Sequence, residues 1–197
     1  MTLYGAALFL HVVSAILLVA GGIYAHVALT LVPRADTVDG VRAHARLLHT
    51  IVATTPPIAV VVLVTGVYLA FGGSWWRAGW PVVSLVLFAS AGASATALIE
   101  PRVARLRAAI EDLPEGPITP DQAHRLVDPS LRRIGSILVG ADLAIVFLMT
   151  NKPGLTGSVM VGATGLMLGG VVGVMVTRRV GAAPSELSPS APPTATP

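Results

Sequence analysis

Five long blocks of uncharged, apolar residues run through this chain, and short segments between them hold nearly all the charge. The blocks cover about 3–32, 47–73, 80–99, 134–150 and 155–177. A helix rises ~1.5 Å per residue, so roughly 17–25 apolar residues cross the ~30 Å hydrocarbon layer of a bilayer. None of the blocks alternates apolar and polar positions in the manner of a barrel strand, and backbone groups in lipid must be satisfied within the segment. The pattern therefore predicts an all-α, polytopic membrane protein, a bundle of five transmembrane helices. The first block has no basic segment ahead of it and is about twice as long as a signal-peptide core, so it reads as a retained helix.

Composition agrees. Of 197 residues, 54% are hydrophobic and only 12% charged, and the mean hydropathy is +0.77. A water-soluble globule usually carries roughly twice that share of charge. There is no cysteine, which excludes disulfide scaffolds, thiolate metal sites, iron–sulfur clusters and thiol nucleophiles. The net charge is +3, and twelve of the 13 basic residues are Arg. They lie between the apolar blocks instead of forming one stripe, so nucleic acid is not expected as a partner and topology is. Arg34, Arg42, Arg46, Arg102, Arg105, Arg107, Arg125, Arg132, Arg133, Arg178 and Arg179 fall on one side of a five-span chain, with only Arg77 and Lys152 on the other. The positive-inside bias then puts the N-terminus outside and the C-terminus in the cytoplasm of a bacterial cell membrane. Trp75, Trp76 and Trp80 fall at the outer interface, where indoles prefer to lie.

Residues 1–180 read as a single membrane domain whose one sizeable polar connection is 101–133. The third helix is expected to continue over 104–112 until Pro114, Pro117 and Pro120 break it. Thr119-Pro120-Asp121-Gln122 has the form of a capping box ahead of a short helix, and Asp128 is the expected N-cap of the fourth span. Residues 181–197 are mostly Pro, Ser, Ala and Thr, with one Gly, one Glu and one Leu, a composition that predicts a disordered tail.

Ionisable side chains in hydrocarbon are costly and are the default functional candidates. In the first block Tyr4, His11, Ser14, Ala15, Leu18, Gly22 and His26 share one small, polar helical stripe. His11 is a candidate cofactor ligand. His26 and His49 reach similar depth on antiparallel helices, a geometry that haem b or copper can use. The competing reading is that each ring hydrogen-bonds a neighbouring helix or lies in a loop, as His44 and His124 are expected to do. Asp142 stands in the middle of the fourth block and must be protonated or paired, and His11 is its expected partner. Thr54-Thr55-Pro56-Pro57 predicts a kink in the second helix. Gly165, Gly169 and Gly173, like Ala89, Ala93 and Ala97, have the small-residue spacing of closely packed helices, within a chain or between copies. No phosphate-binding loop, dinucleotide fingerprint or hydrolase motif is present.

The segment from Leu10-His11-Val12-Val13-Ser14 to Gly21-Gly22 resembles the first helix of the bacterial integral membrane family catalogued as domain of unknown function 2269. Thr54-Thr55-Pro56 with Thr65-Gly66-Val67-Tyr68-Leu69-Ala70 resembles its second helix, and Phe147-Leu148-Met149-Thr150-Asn151-Lys152-Pro153 the end of its fourth. The likeness covers about residues 3–153 and implies a membrane protein without an assigned activity. The Leu-His segment is also similar to copper resistance protein D and to membrane protoporphyrinogen oxidases, and the latter resemblance implies a haem ligand at His11. The oxidase pattern wants a basic residue within a later span, which this sequence does not supply.

Three readings stay open. The first is a haem- or metal-associated redox protein using His11 or His26/His49. The second is a small proton-coupled transporter using Asp142. The third is a structural or regulatory subunit that assembles, with itself or in a membrane complex, through its glycine face in the lipid bilayer.

Overall fold

The structure, a computed structural model, describes residues 2–119, 122, 126 and 128–181. Its order is α1 (Leu3–Leu31), α2 (Val38–Gly72), α3 (Gly79–Ser94), a π-helical turn (Ala95–Ile99), α4 (Glu100–Glu111), α5 (Pro129–Asn151) and α6 (Leu155–Gly181). Among the described residues there is no strand, only one isolated antiparallel bridge between Thr37 and Pro117. Five helices are long and apolar enough to cross a membrane, α3 and α4 counting as one continuous rod from Gly79 to Glu111. Large apolar side chains stay exposed along all five, such as Phe9, Val64, Val86, Phe147 and Met167. That exposure suits a lipid solvent and would be a liability in water.

The helix ends follow from local chemistry. Thr2 and Thr37 cap α1 and α2 by accepting from the backbone N–H of Gly5 and Gly40, each at 3.2 Å. Asp128 caps α5 by accepting from Ser130 N at 2.8 Å, with Pro129 as the first helical residue. Thr119 and Gln122 close the expected capping box in both directions, at 3.3 and 3.1 Å. Gln122 and Leu126 are helical, while the other residues of the helix expected to follow, His124 and the tail from 182 onward lie outside the described residues.

One of the sequence expectations changes. The second span is preceded by two and a half more helical turns, from Val38, because Val38, Val41, Ala45 and Leu48 form a buried stripe. The helix then passes Pro56 and Pro57 without interruption, while the Thr54 and Thr55 hydroxyls donate back to the carbonyls of Thr50 and Ile51. In the third rod, Pro101 has no N–H to give the preceding turn. The π turn directly before it absorbs that mismatch, and Arg102 donates to the Leu98 carbonyl at 2.7 Å.

Packing divides the molecule into two hairpins, α1 with α2 and α5 with α6, with α3 resting on α5 and α6 and α1 touching α5. The glycine stripe of α6 is used inside the chain. Gly165 lies against the Gly140 carbonyl and the Ala144 methyl, Gly169 against Ser136 and Ile137, and Gly173 against Arg133. Any side chain at these positions would meet backbone. At the end that carries most of the arginines, α1, α2, α4, α5 and the segment around Ile118 close over one apolar core that includes Leu29, Leu48, Leu106, Ile110 and Leu131. At the opposite end, Trp75, Trp76 and Trp80 surround a cavity.

Candidate functional site: a histidine-lined cavity at the tryptophan end

His11 is 8% exposed and turns from α1 towards α2. Its Nδ1 lies 3.1 Å from the Val62 carbonyl and 3.0 Å from Thr65 Oγ1. A carbonyl can only accept, and the Thr65 hydroxyl already donates to the Val61 carbonyl at 2.6 Å. Nδ1 must therefore carry the hydrogen and donate, which leaves the lone pair on Nε2. No described residue hydrogen-bonds Nε2. The ring fits because position 66 is glycine: a Cβ there would lie 2.9 Å from His11 Cε1.

His11 lines a cavity of about 320 Å³ whose walls come from α1, α2, α3 and α5, among them Tyr4, Leu69, Phe88 and Met149. Three polar groups on its rim or walls, Trp76 Nε1, Trp80 Nε1 and Ser84 Oγ, are buried and have no hydrogen-bond partner among the described residues. An apolar pocket with one open acceptor and three open donors is the usual form of a small-molecule site. Lys152 also lines it, with Nζ 4.5 Å from the Trp75 ring centre, and Trp75 tilts against Trp80 at 6.1 Å. The sequence placed the three tryptophans at the interface. It gave no reason to join them to His11, because helix rotation sets that contact; Ser84, one turn after Trp80, was the available signal.

The chain belongs to a known family. Its residues 6–153 match the family described as a predicted integral membrane protein, domain of unknown function 2269. That match runs from within α1 to the end of α5 and includes the cavity's lining residues other than Tyr4. No curated protein and no solved structure matches the chain. The family assignment makes this an integral, multi-pass membrane protein and assigns it no activity.

The other sequence candidates of this family member are not gathered at His11. His26 turns to α5, with Nε2 3.4 Å from Ser136 Oγ and Nδ1 buried against Gly135 without a partner. His49 is exposed on α2, whereas His26 is turned to Ser136 of α5. His44 bonds the Gly40 carbonyl at 2.7 Å. Asp142 lies opposite Gly22, where a Cβ would be 3.3 Å from Oδ2. Gly22 is eleven residues along α1 from His11, or ~16 Å of helix rise, and no hydrogen bond joins His11 to Asp142. Arg132, which the sequence placed among loop charges, is instead 3% exposed beside His26, and its Nε has no described partner. Among the described residues no three His, Asp or Glu side chains cluster as they would around a metal ion.

Proposed function

We propose that this protein sits in a bacterial cytoplasmic membrane with its tryptophan end outward and binds a ring-bearing redox cofactor at His11, with haem b as the first candidate. The observation that carries the reading is the divided imidazole: Nδ1 is tied to Val62 and Thr65, and Nε2 has no partner on a cavity wall. Proteins orient histidine ligands in this way, by bonding the distal ring nitrogen to a carbonyl. The remaining donor set is compatible with haem. Apolar walls accept the ring, Met149 offers a soft second ligand, and the indole N–H groups of Trp76 and Trp80, the Ser84 hydroxyl and Lys152 suit the carboxylate edge. Bound haem supplies one-electron chemistry. The chain's own part is to hold the imidazole tautomer, keep water from the ring and meet the carboxylates. A bare metal ion is a poorer fit, since one imidazole is a sparse ligand set.

The test is an optical spectrum of protein purified in mild detergent from haem-supplied cells, before and after dithionite, with metal analysis on the same sample. A Soret band that shifts on reduction and is lost in His11→Ala supports the reading. A featureless, metal-free sample overturns it. The reading as an assembling subunit loses its proposed surface, because the glycine stripe is covered by α5.

A further inference from the structure

A second cavity, of about 500 Å³, opens between α1 and α5 and meets the first at His11, Val62, Phe88 and Met149. Its walls are almost wholly aliphatic: Ala15, Ile16 and Val19 from α1, and Leu143 and Val146 from α5. Ile16, Leu143 and Val146 are among the side chains left exposed on the lipid-facing surface, so the crevice opens sideways to the bilayer. Two of its lining side chains are ionisable, His11 and Asp142. The Nδ1–H of His11 is committed to α2, which leaves Asp142 as the acid of the crevice. Among the described residues Asp142 makes no hydrogen bond or ion pair. Its near neighbour on α1 is Gly22, which adds no side chain where the carboxylate points. Arg132, on the same helix, is ten residues away, ~15 Å of helix rise.

A lone carboxylate in hydrocarbon is costly, and it is retained where something meets it. The surroundings decide what. An anion is repelled. A ligand with many polar groups would find no partners on aliphatic walls. An inorganic cation needs several oxygen ligands, and the described residues supply no such group. An organic cation with an apolar body satisfies both the charge and the walls. We propose that the α1–α5 crevice binds a lipophilic organic cation drawn from the bilayer, with Asp142 as its counter-ion. This site does not depend on cofactor binding at His11.

The experiment is equilibrium dialysis of tetraphenylphosphonium against the purified full-length protein in a neutral detergent, with triphenylphosphine oxide as the uncharged control. Wild type should bind the cation saturably, and Asp142→Asn should bind it at least tenfold more weakly, with no change for the uncharged control. A second variant, Gly22→Leu, keeps the carboxylate and fills the space in front of it; it should lose the cation as well, which covers the case of an Asn variant that fails to fold. Saturable cation binding by a sample whose optical spectrum shows no haem separates this site from the cofactor reading. Absence of saturable binding by wild type, or equal binding by folded Asp142→Asn, overturns the proposal.

Discussion

The two ends of the bundle solve opposite problems with the same helices. At the arginine end, α2 and α4 extend past the apolar blocks, and their stripes close with α1 and α5 over a tight core in which Leu48, Ile110 and Leu131 are at most 2% exposed. That core lies beside water, so the hydrophobic effect itself drives it. Towards the tryptophan end the helices expose apolar side chains such as Leu8 and Phe71, as suits lipid, and in lipid burying an aliphatic side chain gains little over leaving it there. Nothing there forces the walls together, and a cavity with four unmet polar groups persists. The difference teaches where this chain stores stability and where it keeps room for a ligand.

The sharpest way to break that contrast is to truncate both ends. Ile110→Ala should cost about 2–5 kcal/mol, the range for a large aliphatic side chain in a closed core. Ser84→Ala at the cavity should change stability by less than about 0.5 kcal/mol, since it removes a hydroxyl that has no described partner. Thermal unfolding of both variants in one detergent checks this. Equal losses would mean that the tryptophan end is packed as tightly as the other.

The α5–α6 seam joins the two ends, and its backbone contacts leave no space. Gly165→Leu should therefore cost about 1–3 kcal/mol by overpacking, because a Cβ at that position already lies 2.6 Å from the Gly140 carbonyl. The measured quantity is again the unfolding midpoint. A neutral outcome would show that α6 can move away from α5, and would reopen the glycine stripe as a surface for another chain.

How much of this was legible in the sequence follows from the same physics. Spans, caps and the all-helical class are set by local rules, so Thr119, Asp128 and the five apolar blocks announced themselves. The stripe Val38, Val41, Ala45 and Leu48 was equally local, but Arg42, His44 and Arg46 between its members masked it as a loop. Helix rotation about the axis is a tertiary quantity. It turned His26 to Ser136, left His49 exposed and buried Arg132. Histidine depth was readable; histidine partners were not.

A smaller effect sharpens the cavity half of the comparison. Thr65→Val removes one acceptor of the His11 Nδ1–H and keeps the other, the Val62 carbonyl. The cost to stability should be about 1 kcal/mol or less. Its value lies in ligand binding: if the held tautomer matters, Thr65→Val should weaken the ligand at His11 several-fold while Thr65→Ser restores it. A loss that Ser does not restore would point to packing of the β-methyl group instead.

Another modest effect belongs to the arginine end, at the start of α5. Partial burial pushes the Asp128 carboxyl up, but its hydrogen bonds from Ser130 and the Arg102 guanidinium at 3.3 Å outweigh that and hold it below the usual carboxylate range. A carboxyl whose folded value is depressed contributes stability that is fully present above its unfolded value, near 3.8. That contribution is lost as pH falls through the lower, folded value. Asp128→Ala should therefore cost about 0.5–1 kcal/mol at pH 7, the low side of the range for an N-cap, because the side chain is half exposed and water screens Arg102. The difference between variant and wild type should shrink below about pH 4, where both lack the charged cap. A difference that persists unchanged to pH 2.5 would assign the effect of Asp128 to backbone geometry at Pro129, and the charge would then play no part in starting the helix.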